Sequence, residues 1–220
     1  MHSPARFPMT EVSIPAGDRQ LQAFLTLPES ALGMVAFAHG SGSGRHSPRN
    51  QFVARALNEA GLGTLLADLL DEQEAEDQNC VFDVHLLADR LLCCADWLSE
   101  QPQTQHLPIG YFGASTGSAA ALIAAAKKWR RVRAVVSRGG RPDLAWDALP
   151  VVCAPTLLLV DERDGPVVEW NEQALEQLIM CPKQLIIIPN ATHLFPEPGA
   201  LEAVAQHASE WFCKWLQSRT

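Results

Sequence analysis

The chain has 220 residues, 47 % of them hydrophobic, and a formal net charge of -8; the length fits one domain with a sizeable core, residues 1–220, with no linker or repeat to divide it. An acidic balance excludes nucleic acid as a general partner, because that affinity rests on neutralising phosphates with Lys and Arg. No run of about 18 apolar residues is present and Met1 to Asp18 lack an apolar leader segment, so a soluble, cytoplasmic protein without a membrane partner is expected.

In chain order, Glu11 to Pro15 and Leu21 to Leu27 flank Ala16-Gly17-Asp18 and predict a hairpin. Met34 to Ala38 is a continuous apolar strand that runs into His39-Gly40-Ser41-Gly42-Ser43-Gly44. Three glycines in six positions let the backbone approach a ligand. The Lys-Ser/Thr ending of a phosphate loop is missing, which leaves a flexible turn or half of an oxyanion hole built on the Ser41 amide. A helix is expected near Asn50 to Ala60 and a strand at Gly63 to Ala67. Asp71 to Asp77 then carries five carboxylates in seven positions and reads as a solvated loop at a site's rim. Apolar residues at helical spacing predict an amphipathic helix from about Val81 to Glu100.

The most informative stretch follows. Leu107 to Phe112 reads as a buried strand, Ala119 to Ala126 as a helix, and Gly113-Ala114-Ser115-Thr116-Gly117 joins them. A strand that becomes a helix within one residue strains that residue and crowds neighbouring backbone, which the small side chains at 113, 114 and 117 relieve. Ser115 then projects from the sheet edge, and the Thr116 amide points at any charge developing there. A helix N-cap is the plainer role for such a serine.

Beyond it lies a basic run of Lys127, Lys128, Arg130, Arg131 and Arg133, placed at a helix C-terminus where cations complement the dipole. Strands are expected at Val132 to Ser137, Pro155 to Val160 and Gln184 to Ile188, each ending in a polar loop. Helices are expected at about Val168 to Ile179 and through Leu201, Val204, Ala208, Phe212 and Leu216. The alternation implies an α/β fold with a mainly parallel central sheet and helices on both faces. Six cysteines show no C-x-x-C spacing, so reduced thiols and no metal site are expected.

In an open parallel sheet, functional groups gather beyond the carboxyl ends of the strands. His39, Ser115, Arg138, Asp164 and His193 all fall there. A serine hydroxyl needs a base to accept its proton, and the base needs an acid to hold its tautomer. Ser115, Asp164 and His193 supply the three in that order along the chain. Asp161, three residues before Asp164, is the alternative acid.

Elbow, order and strand layout resemble the α/β-hydrolase fold over essentially the whole chain from Glu11, and the short form without a lid domain is similar to the dienelactone hydrolase family. Asp161-x-x-Asp164-x-x-Val167 resembles that family's G-x-x-D-x-x-V, with the acid at the second aspartate. Members proper carry a cysteine nucleophile; here the position is Ser115. The resemblance therefore implies hydrolysis of a small-molecule ester or thioester through Ser115, His193 and Asp164, with the amides of Ser41 and Thr116 as oxyanion donors and no cofactor. Arg45, Arg49, Arg138 and Arg141 flank the convergent loops; with His39, Arg45 and Arg138 are candidates to receive an anionic substrate group, or else are paired with the acidic loop. The rival reading is a hydrolase-like fold that binds a small molecule or partner without turnover.

Overall fold

A computed structural model describes residues 7–128 and 131–217. Its centre is an eight-stranded sheet: β1 (Met9–Ala16), β2 (Arg19–Thr26), β3 (Met34–Ala38), β4 (Gly63–Ala67), β5 (Ile109–Ala114), β6 (Val132–Arg138), β7 (Thr156–Asp161) and β8 (Lys183–Ile188). The spatial order is β1-β2-β4-β3-β5-β6-β7-β8. β2 runs antiparallel to both β1 and β4, and every other pair is parallel.

Sequence patterning explains the layers. β3, β4 and β5 are buried at every position, as unbroken apolar strands must be when helices cover both faces. On one face lie α1 (Pro48–Glu59) and α7 (Ala200–Leu216), packed on Phe37, Phe112 and Leu159; on the other lie α4 (Val84–Glu100), α5 (Thr116–Lys127) and α6 (Gly165–Gln177), packed on Tyr111, Val135 and Leu158. The parallel strands finish nearly in step, with Ala38 beside Gly113, Ala114 beside Arg138, and Asp161 beside Ile188. One sheet edge therefore collects every loop that carries candidate chemistry.

Several expectations need correction. The acidic stretch is not simply a loop: Glu72–Glu76 forms a one-turn helix, α2, because Asp71 and Glu74 cap it reciprocally, the D-x-x-E signature of a capping box. The helix expected from Val81 is broken by Asp83, whose carboxylate accepts from the His85 and Leu86 amides and starts α4 afresh, leaving Gln78–Phe82 as a separate turn, α3. A ten-residue 3-10 segment, Pro142–Val151, follows β6 where only a loop was expected. The basic run is paired with α4: Lys127 with Asp89 at 2.6 Å, Lys128 with Asp96 at 2.6 Å and Arg131 with Asp96 at 2.9 Å; Arg130 lies outside the described residues. All six cysteines are free, and burial pushes the Cys94 thiol up to about 12. No helix among the described residues is long and apolar enough to cross a membrane.

Candidate active site

Ser115 occupies the single-residue junction between β5 and α5 with φ 50° and ψ -122°, and its side chain makes no cap hydrogen bond. A non-glycine residue at positive φ is strained, and here the strain is held from several sides. The Ser115 amide donates to the Arg138 carbonyl at 3.1 Å, while the Ser115 carbonyl accepts from the Ser118 amide at 3.0 Å and the Ser118 hydroxyl at 2.7 Å. Close packing enforces the glycines: a Cβ on Gly113 would stand 2.5 Å from the Ser118 Cα, and one on Gly117 2.5 Å from the His39 carbonyl oxygen.

The loop after β3 passes directly beside the serine. A Cβ on Gly40 would lie 3.0 Å from the Ser115 Cβ. The Ser41 amide donates to the Thr116 hydroxyl at 3.1 Å, so both expected oxyanion donors belong to residues that already touch. A cavity of about 800 Å³ opens along this loop, lined by Gln22, Ser41, Arg45, His46, Asp68 and Asp71 among others.

His39 lines the same cavity. It is buried, its Nδ1 lies 3.1 Å from the Gly40 carbonyl oxygen, and its Nε2 accepts the Leu69 amide at 3.1 Å. Both ring nitrogens are spent inside the protein, and desolvation holds the imidazole below its ordinary pKa. It braces the loops after β3 and β4. Arg45 pairs with Asp68, reaches Glu11 at 3.3 Å and lies over the Phe24 ring. Arg141 pairs with Asp143 at 2.7 Å and stacks on Trp170. Arg138 differs: it is 7 % exposed, its Nη1 has no hydrogen-bond partner among the described residues, and burial, with Arg49 adding to the effect, lowers its pKa to about 10.

His193 sits in the loop after β8. Its Nδ1 lies 3.5 Å from Asp164 Oδ2 and 3.9 Å from Asp161 Oδ1. Neither contact closes into a hydrogen bond; such bonds are often long before substrate arrives. The loop is pinned by groups that sequence reasoning missed. Glu197 accepts from the Thr192 amide at 3.1 Å and hydroxyl at 2.6 Å, Phe195 is buried at φ 54°, and the Arg163 amide donates to the Ala191 carbonyl at 3.1 Å. The last bond ties the aspartate loop to the histidine loop. Ligand atoms of Asp161, Asp164 and His193 lie within 4.8 Å of one another, a set that could also hold a cation.

No family model matches the chain. Whole-chain relatives do. The crystal structure of a dienelactone hydrolase from Anabaena variabilis is 56 % identical and superimposes with a TM-score of 0.94, covering 96 % of this chain and 100 % of that one. The chain belongs to the dienelactone hydrolase family. Est1E from Butyrivibrio proteoclasticus (TM-score 0.78, 17 % identity, 93 % of this chain and 98 % of that one) and an esterase from Pyrococcus furiosus (0.81, 17 %, 96 % and 94 %) share the fold of this dienelactone hydrolase family member. Two curated relatives, from two strains of Mycobacterium tuberculosis and provisionally named phosphoribosyl transferases, are 55 % identical over 206 residues, 94 % of this chain. The chain spans about half, 46 %, of their length.

Proposed function

We propose that this member of the dienelactone hydrolase family is a serine hydrolase that cleaves a carboxylic ester or thioester of a small molecule through an acyl-enzyme on Ser115. The observation that carries this reading is the strained Ser115 at the strand-to-helix junction, on the same sheet edge as a histidine flanked by carboxylates. Strain of this kind, held from several sides, is costly to keep unless the residue is used.

In the proposed mechanism, Ser115 Oγ attacks the acyl carbon as His193 Nε2 takes its proton. The new Oγ–C bond pushes the carbonyl electron pair onto oxygen, which accepts from the Thr116 amide and from the Ser41 amide once the latter leaves the Thr116 hydroxyl. Asp164 stabilises the imidazolium. When the C–O or C–S bond breaks, His193 delivers the proton to the leaving alcohol or thiol. Water repeats the sequence, with His193 as base, and releases the acid and the free serine. No metal or organic cofactor is needed for any step.

The transferase name of the longer relatives describes proteins about twice this length. In our reading the matched half contributes hydrolase chemistry and any phosphoribosyl transfer resides in the remainder. Arg138, whose Nη1 has no hydrogen-bond partner among the described residues, and His39 and Arg45, which line the cavity, are the candidates to receive an anionic substrate group.

The test is hydrolysis of p-nitrophenyl acetate and of an acyl thioester by the wild type and by Ser115→Ala. Loss of about 10⁴-fold or more in kcat in the variant, with no change on adding EDTA, is the expected result. Equal turnover by both proteins would overturn the reading. Absence of turnover in the wild type with every ester offered would favour a fold that binds without catalysis.

A further inference from the structure

His193 faces two carboxylates that differ in physical character. Asp164 stands at the N-cap of α6 with its side chain 30 % exposed. Asp161 ends β7, is wholly buried, and neither of its oxygens has a hydrogen-bond partner among the described residues. The nitrogen between them, His193 Nδ1, is buried and has no hydrogen-bond partner among the described residues either.

A buried carboxylate without hydrogen bonds is costly to maintain, so the surroundings of Asp161 matter. Gly139, at φ 50°, borders both groups: a Cβ there would lie 3.4 Å from Asp161 Oδ1 and 3.5 Å from His193 Cε1. Gly139 therefore packs against both groups, whose Nδ1 and Oδ1 lie 3.9 Å apart. On the neighbouring strand Arg138 pairs with Leu159, two residues before Asp161 and on the same face of the sheet. The buried guanidinium supplies positive charge nearby, and Asp161 in turn favours its charged form.

We propose that Asp161 is a second carboxylate partner of His193, a positioning residue that stabilises the imidazolium formed when the Ser115 proton is taken and that holds the Nδ1 proton when Asp164 is absent. The inference rests on the serine-hydrolase reading. A charge 3.9 Å away in the interior is screened far less than one open to water, so Asp161 contributes despite the longer distance. Burial raises its proton affinity and the neighbouring His193 lowers it, so its charge depends on the histidine beside it.

The experiment follows the rate at which a fluorophosphonate inactivates the enzyme between pH 5 and 9 in the wild type, Asp161→Asn, Asp164→Asn and the double variant, with thermal melts to confirm folding. The probe reports base-assisted attack: the Oγ–P bond forms, the P–F bond breaks, and the serine proton passes through His193 to solvent. Removing a buried negative charge makes the imidazolium harder to form, so the acid limb in Asp161→Asn is expected about half a unit to one unit lower in pH than in the wild type. Asp164→Asn is expected to keep at least about tenfold more activity than the double variant. An unmoved acid limb, or an Asp164→Asn variant as slow as the double variant, would overturn the proposal. Should Asp161→Asn fail to fold, Asp164→Asn is compared with His193→Ala: a rate at least about tenfold above that of His193→Ala is expected, and a rate equal to it overturns the proposal. A wild type that does not react at all would instead bring down the hydrolase reading itself.

Discussion

The Ser41 amide and the Thr116 hydroxyl are joined by a hydrogen bond of 3.1 Å, so a backbone donor of the residue after Gly40 is satisfied by the side chain that follows Ser115. An oxyanion recruiting that donor must displace a neutral hydroxyl, and the exchange favours the charged acceptor. Thr116→Ala removes the competitor and leaves the amide unpaired. The expected outcome is a kcat equal to the wild type or a few-fold higher, with a loss of about 1 kcal/mol in stability and a thermal midpoint about 2–4 °C lower. A hundredfold fall in kcat with the melt unchanged would mean that the hydroxyl itself donates to the oxyanion.

Gly117 is where the elbow has least room. Its Cα faces the carbonyls of Ala38 and His39, and a methyl group there forces β3 and α5 apart. Gly117→Ala is expected to lower stability by about 1–3 kcal/mol or more, read as a lower urea midpoint, and to abolish esterase activity together with it. A variant that melts like the wild type would show that the loop after β3 yields easily.

His39 makes stability depend on pH. Its folded pKa lies below the ordinary value of 6.5, so below pH 6.5 the unfolded chain binds a proton that the folded chain does not. The stability that His39 contributes is full above that pH and is lost as pH falls toward the folded value. Unfolding by urea at pH 7.5, 6.5 and 5.5 should show the decline. In His39→Leu the slope from this residue disappears, while stability at pH 7.5 drops by about 1–3 kcal/mol because the Leu69 amide loses its acceptor. An unaltered slope would assign the decline to other groups.

Arg138 discriminates between substrates if its free Nη1 reaches them. Arg138→Met keeps the volume of the stem and removes the charge. Measured on a neutral acetate ester and on a matched ester bearing a free carboxylate, kcat/KM is expected to fall about tenfold more for the second, the size of one hydrogen bond to a charged group. Equal losses would leave Arg138 as a structural countercharge for Asp161.

The sheet was legible because its signals are local and redundant. β3, β4 and β5 are unbroken apolar runs, and the β5–Ser115–α5 junction states its geometry in the glycines at 113 and 117. What lay hidden depends on partners distant in sequence. His39 was expected at a substrate because it follows a strand, yet the Leu69 amide thirty residues on captures it. For Arg45 the sequence left open a substrate group or an acidic partner, and Asp68, just before the acidic stretch, pairs with it. The Thr192–Glu197 clamp carries no pattern that separates it from an ordinary polar loop. The helix turns at Glu72–Glu76 and Gln78–Phe82 could have been read from the caps Asp71, Asp77 and Asp83, but the density of charge obscured them.

Intact mass after incubation with a fluorophosphonate shows whether Ser115 is an activated nucleophile. The wild type is expected to gain one adduct per chain and Ser115→Ala none. An unlabelled wild type, or labelling that survives in Ser115→Ala, would contradict it.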